Sequence, residues 1–347
     1  MHIPENYLAP ATCAVMAAAM VPVWIHAVKK VNEELPKEKI PMLGVGAAFS
    51  FLGMMFNVPL IGGTTGHAVG GTLIALLFGP DAACIAVSIA LLLQAVIFGD
   101  GGVLAFGANC FNMAFVLPYL GYAVYSLIIK MCGGRDKVSG KIRYAAAAIG
   151  SYIGINVAAF CAAVEFGLQP MIFKDELGNA LYCPYDLSIS IPAMMIPHLL
   201  VAGIVEAVFT VVIFALVRKT SPDLIYENIK AEAGNTEHTK SRHVPVFALI
   251  AVLIAAVPLG LLASGTAWGE WGADEIAEIV TNGEALGYTP SGLAQGWSLN
   301  VLMPDYTAGG LNEVLAYILS AIIGVALLII IFKLISIPMK GKKKIAS

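Results

Sequence analysis

Charge is what this sequence has least of. Its 347 residues include 20 Lys+Arg and 23 Asp+Glu, 12% in all, against 59% hydrophobic residues. An ordinary soluble domain carries about 25% charged residues, and here the deficit is concentrated. Between Lys39 and Lys130 the only charges are Asp81 and Asp100, and residues 144–164, 187–205, 244–269 and 314–332 carry none. About 20 mostly apolar residues suffice to cross a bilayer, so a soluble enzyme, a nucleic-acid binder and a disordered scaffold are excluded. Also missing are the G-x-x-x-x-G-K-[ST], H-E-x-x-H and G-x-S-x-G strings. Nucleotide hydrolysis through a P-loop and the common hydrolase chemistries therefore lack their residues, and any ATP-driven motor has to be a separate chain. The six cysteines (Cys13, Cys84, Cys110, Cys132, Cys161, Cys183) show no CxxC spacing and read as small buried hydrophobes.

What remains is an all-α polytopic membrane protein. Hydropathy predicts nine spans, at about 8–28, 40–57, 67–79, 82–99, 103–129, 144–166, 190–217, 244–264 and 313–335. The third to fifth are short or broken by Gly62, Gly63, Gly66, Gly70, Gly71, Gly101, Gly102 and Gly107. Irregular backbone at membrane depth persists only where protein or a water-lined cavity satisfies its polar groups, so these glycines point to a site. With the N-terminus outside, the segments 29–39, 130–143, 218–242 and 333–347 are cytoplasmic and hold 4, 5, 5 and 5 Lys/Arg, leaving Lys174 outside. That bias predicts an N-out, C-in chain. The leading residues Met1 to Asn6 lack a basic n-region and carry Glu5, so no cleavable signal is expected. The bulky His2 disfavours removal of Met1, whose amine is expected to be free on the outer side.

His238 and His243 sit in a charged linker and His26 closes the first span beside Lys29 and Lys30; these read as solvated or interfacial. His2 is different. A free amine at Met1, the peptide nitrogen of His2 and the His2 imidazole can close two fused chelate rings, giving three coplanar nitrogens. A fourth nitrogen completes a square-planar set, the geometry that suits Ni(II) or Cu(II), whereas Mg²⁺ and Ca²⁺ require oxygens. His67 lies in a glycine-rich loop entering the third span and is the candidate fourth ligand. The alternative is a hydrogen-bonded histidine beside a frayed terminus.

The motifs now match a pattern. Met1-His2-Ile3-Pro4, then Asn57-Val58-Pro59 with Gly62-Gly63-Thr64-Thr65-Gly66-His67, then Phe98-Gly99-Asp100-Gly101-Gly102 with Gly107-Ala108-Asn109-Cys110-Phe111-Asn112-Met113 resemble the CbiM/NikM family. These are the substrate-capturing S components of energy-coupling-factor cobalt and nickel importers. His198 and Glu206 resemble the family's H…E pattern, and the likeness covers about residues 1–217. It implies a seven-helix core in which Met1, His2 and His67 hold the metal. It also implies partners: a transmembrane coupling (T) protein and two ATPase (A) subunits. Residues 218–243 read as a cytoplasmic linker. Residues 244–347 add a two-helix hairpin around an extracytoplasmic loop, 265–312, with Trp268, Trp271, Trp297 and Met303-Pro304-Asp305-Tyr306. This resembles, less specifically, a CbiN or PDGLE-type accessory subunit fused in place of a separate chain; the PDGLE string itself is absent. The other reading is an extension with no part in loading.

The expected function is ATP-driven import of Co²⁺ or Ni²⁺ for cobalamin synthesis or metalloenzymes, with cobalt favoured by the overall likeness. The ion is cargo, and no cofactor is expected. Ligation requires deprotonated nitrogens; because an α-amine ordinarily titrates near about 7.7–8.0 and a histidine near about 6.5, uptake is expected to weaken in acid. Asn109, Asn112 and Gln94 are polar groups in apolar spans and, with His198, are candidates to hydrogen-bond the ligands. Glu206, about 12 Å deeper by helix rise, is not assigned to the metal. Ala14 and Ala18 of the first span have the small-xxx-small spacing that admits a partner helix. The rival from another class is a proton-coupled secondary transporter using His198 and Glu206 as a relay.

Overall fold

The computed structural model describes residues 1–61, 63–232, 242–263, 265–281 and 283–339. Gly62, His238 and the basic tail from Lys340 lie outside the described residues. In hydrocarbon every peptide group needs a partner within its own segment, so apolar runs become helices. Among the described residues nine such helices follow one another: α1 (Pro10–Glu34), α2 (Ile40–Met55), α3 (Gly71–Phe78), α4 (Pro80–Phe98), α5 (Phe106–Met131), α6 (Gly140–Ile172), α7 (Leu187–Thr220), α8 (Val244–Leu262) and α9 (Glu313–Met339). Seven of them are long and apolar enough to cross a membrane.

The two that fall short are α2 and α3, which corrects the nine-span reading. Their 16 and 8 residues reach about 24 Å and about 12 Å, against a hydrocarbon core of about 30 Å. Within 67–79 only Gly71–Phe78 is helical, because residues before it form a small hairpin, β1 (Val58–Pro59) paired antiparallel with β2 (Thr65–Gly66). Residues 43–55 of α2 are buried throughout, enclosed by protein and not by lipid, so bilayer thickness does not set its length.

Close approaches of small residues hold the bundle together. A Cβ on Gly150 of α6 would lie 2.5 Å from the Gly121 carbonyl oxygen of α5, and one on Gly107 of α5 would lie 2.5 Å from Ala17 Cα of α1. The last helix, α9, runs along α2, where a Cβ on Gly324 would strike the Phe51 ring at 2.2 Å and the Tyr317 hydroxyl donates to Met55 O at 2.7 Å. By contrast α1 lies at an edge, with Ala14, Val15, Ala18, Val21, Ile25 and Val28 exposed.

The two ends of the bundle differ. One carries ion pairs between connecting segments, including Lys39 with Asp223, Arg143 with Glu227 and Lys230 with Glu34. The other gathers the N-terminal segment, residues 56–70, residues 99–105 and the segment between α8 and α9. Wider, π-helical turns occur at Gln94–Phe98 of α4, Cys110–Val116 of α5 and His198–Ala202 of α7. Such turns re-aim side chains and recur at functional sites.

Candidate metal site

The first nine residues run into the bundle without helix or strand, turning over residues 5–8 with Asn6 at φ 64°, and Met1, His2 and Ile3 are buried. Buried backbone outside helix and sheet needs hydrogen-bond partners, and side chains of the helices supply them. Ile3 N–H donates to Asn109 Oδ1 (2.7 Å) while Asn109 Nδ2 donates to Ile3 O (3.0 Å), and Gly102 N–H reaches the same carbonyl at 2.8 Å. Ala9 N–H donates to Gln169 Oε1 of α6 (2.9 Å). Glu5 returns the favour, accepting from Val103 N–H (2.7 Å) and Leu104 N–H (3.2 Å). A Cβ at Gly102 would lie 2.8 Å from Glu5 N, so the Gly101-Gly102 pair is what lets the terminus pass.

This segment delivers the His2 ring to His67. Their centroids are 5.0 Å apart with planes inclined at 38°. His2 Nδ1 faces Asp100 Oδ1 at 3.1 Å, and its Nε2 is buried without a hydrogen-bond partner. The Met1 amine faces Glu270 Oε1 at 3.4 Å, and the same carboxylate accepts the His2 peptide N–H. Asp100 is itself fixed: Gln94 Nε2 donates to its Oδ2 (2.9 Å) and the Tyr306 hydroxyl donates to it as well. Gln94 Nε2 also donates to Tyr306 Oη at 2.9 Å, and the Tyr306 ring stacks on Phe98 with centroids 4.8 Å apart. Asp305 and Tyr306 both have positive φ, 49° and 60°. Side chains rarely adopt that backbone, and here it turns the phenol toward Asp100.

His67 leaves the hairpin with its Nδ1 against the Ala68 carbonyl oxygen (3.3 Å); donation there leaves Nε2 as the lone-pair nitrogen. Ser50 of α2 ties the loop by donating to Val69 O at 2.7 Å. A cavity of about 340 Å³ opens between these elements, lined by His2, His67, Asp100, Glu270, Asp305 and Tyr306 among others.

Electrostatics favour a neutral His2. Burial, reinforced by the Met1 ammonium, pushes its imidazole down to about 3. An imidazole that is already neutral needs no acid–base step before it ligates. The acid sensitivity expected of an ordinary histidine is therefore displaced to much lower pH while the segment is docked. Burial pushes Glu270 up to about 7 against the pull of the Met1 ammonium.

The structure brings Met1, His2 and His67 together, with Gln94 and Asn109 bonded around them. Asn112 and His198 do not join that network. Asn112 donates to Glu165 Oε2 across α5 and α6 (2.9 Å), and His198 Nδ1 lies 2.7 Å from Met194 O on its own helix. Asp100, Glu270 and Tyr306 were not assigned from the sequence. Asp100 and Glu270 carried a signal, one as a rare charge between Lys39 and Lys130 and the other as the first charge after a long neutral run. Among the described residues no three His, Cys, Asp or Glu side chains gather to hold a metal. The proposed donor set would not register as such a cluster, because two of its four nitrogens are main-chain.

Comparison with known proteins gives two family matches. Residues 2–224 match the cobalt uptake substrate-specific transmembrane region, CbiM, and residues 242–340 match the PDGLE domain. The chain is 47% identical over 335 residues to a protein named probable fused nickel transport protein LarMN of Lactiplantibacillus plantarum, covering 96% of this chain and 97% of that one. It is 43% identical over 341 residues to the fused nickel transport protein NikMN of Rhodobacter capsulatus, covering 95% of each. A solved crystal structure described as a transition metal transporter superposes with a TM-score of 0.59 at 50% identity, covering 67% of this chain and 98% of its own.

Proposed function

The chain belongs to the CbiM family of substrate-specific transmembrane proteins of cobalt uptake, carries a PDGLE domain in the same polypeptide, and we propose that it is the ion-capturing subunit of an ATP-driven energy-coupling-factor importer of Ni²⁺, with Co²⁺ as the competing ion. It is a transport protein of the membrane and not an enzyme. Nickel is preferred over cobalt because both fused relatives that span nearly the whole chain carry nickel in their names, and because four coplanar nitrogens suit Ni(II). Inside the cell nickel serves metalloenzymes, and cobalt, where it is carried, cobalamin synthesis.

The observation that carries this reading is the approach of the His2 and His67 rings in one polar cavity, with the Met1 amine on Glu270, which lines that same cavity. Glu270 lies against the Met1 amine and Asp100 faces His2 Nδ1. Closing the fused rings uses that Nδ1, so an arriving ion exchanges the Asp100 and Glu270 contacts for metal bonds. Amine and peptide protons leave as it binds, and affinity is therefore pH-dependent. The N-terminus lies outside and the ion-paired end faces the cytoplasm, in keeping with the Lys/Arg bias. The T protein and two A subunits supply the motor that this chain lacks, and the exposed Ala14–Ala18 face of α1 is the surface offered to the T protein.

The test is uptake of radioactive nickel by cells expressing the chain with and without the coupling and ATPase subunits, in parallel with an uncoupler. Uptake that requires the ATPase and survives brief loss of the proton gradient is expected. Uptake indifferent to the ATPase and abolished by the uncoupler would establish the proton-coupled rival instead.

A further inference from the structure

We infer that Glu206 is the positioning residue of His67, gripping the loop behind that histidine from α7 and fixing how far its ring reaches toward the N-terminal segment; this rests on the metal-capture reading above. The Glu206 side chain is fully buried, and among the described residues no Lys, Arg or His pairs with it. A carboxylate so placed is expensive unless strong donors meet it. The donors are main-chain: Val69 N–H reaches Oε2 at 2.7 Å, and Gly70 N–H reaches Oε1 and Oε2 at 3.0 Å each. These amides stand at the start of α3, where the first N–H groups of a helix lack partners and the dipole is positive.

Three features make this grip local to His67. Val69 is two residues beyond it, so the anchored amides leave little slack. Gly70 sits at φ 72°, and a Cβ there would lie 3.0 Å from Cε1 of Phe209, one turn along α7 from Glu206. The turn is therefore seated against α7 by contact as well as by charge. Ser50 holds the Val69 carbonyl from the other side, on α2. The chemistry also requires a carboxylate. Both oxygens accept, so two neighbouring N–H groups are met at once, whereas a glutamine offers one acceptor and turns an N–H donor toward a donor.

The test is nickel binding and the ligand-field absorption of bound nickel, measured on the full chain in detergent for wild type, Glu206→Ala, Glu206→Gln and His67→Ala, with melting of each metal-free protein. Partners that orient a ligand from behind contribute roughly 10–100-fold in affinity. Glu206→Ala is expected to weaken binding by that factor and shift the absorption band, and Glu206→Gln to fall between it and wild type. Melting of Glu206→Gln is expected to stay close to wild type, which keeps the comparison interpretable should the alanine variant fold poorly. Wild-type affinity and spectrum in a well-folded Glu206→Gln or Glu206→Ala would overturn the positioning role while leaving capture by His67 intact. Nickel binding that ignores His67→Ala would overturn the capture reading, and this inference with it.

Discussion

The two halves of the candidate site are held in different ways. The His2 half is a loop segment whose ligand-bearing atoms are met by Asp100 and Glu270, with the Tyr306 hydroxyl behind on Asp100; Glu270 and Tyr306 come from the segment between α8 and α9. The His67 half is anchored in the bundle, by Ser50 of α2 and Glu206 of α7. In the first half the partners touch the donors themselves and must yield to an ion. In the second they touch the backbone behind the donor and can stay in place. The difference teaches that capture is a competition at one half and a matter of reach at the other, and that the C-terminal segment acts on the competitive half.

The largest expected effect ignores the difference. His67→Ala removes a ligand outright and is expected to take the retained nickel from near one ion per chain to near zero, read by elemental analysis of purified protein. Acid comes next and is read in the His2 half, although burial holds the His67 imidazole below its ordinary value as well. The docked imidazole sits at about 3, while a released one titrates near about 6.5. A depressed value means that the docked state keeps its full advantage above about 6.5 and loses it as pH falls toward 3, because only the released segment takes up the proton. Release of residues 1–3 in the metal-free protein is expected to rise about tenfold per pH unit across that window, read by hydrogen exchange of their amides. The smallest effect is Tyr306→Phe. Losing one hydrogen bond to a partly exposed carboxylate costs about 1 kcal/mol, which corresponds to roughly fivefold faster exchange at residues 1–3 with Val69 unchanged. Equal acceleration in both halves would erase the distinction drawn here.

How much of this the sequence disclosed follows from what each signal measures. Apolar runs report transfer into hydrocarbon, so they located every long helix. They do not report hydrogen-bonding geometry, so the pairing of Val58–Pro59 with Thr65–Gly66 went unread between two predicted spans, and the shortness of α3 was hidden inside the second of them. The proposed N-terminal donor set was readable because its nitrogens are adjacent in the chain, and the approach of His67 to His2 because its flanking glycines marked a close approach. Asn109 and Asn112 were read as alike, but the wider turn at Cys110–Val116 changes the angular step per residue, and one meets Ile3 while the other meets Glu165. Glu270 and Tyr306 reach the site through the packing of α9 on α2, a contact between distant parts of the chain that no local pattern encodes. The role of Glu206 was similarly invisible, since its partners are main-chain amides.

The central claim, that one ion is shared by the leading amine, the second residue and a distant imidazole, is tested most directly by inserting a single residue between Met1 and His2. The insertion keeps every side chain but moves the imidazole to the third position, where the amine, two peptide nitrogens and the ring fill a plane without His67. Nickel retained by the purified wild type, about one ion per chain, is expected to be lost on His67→Ala, whereas the insertion variant is expected to load equally with and without that change; wild-type loading that survives His67→Ala would contradict the account.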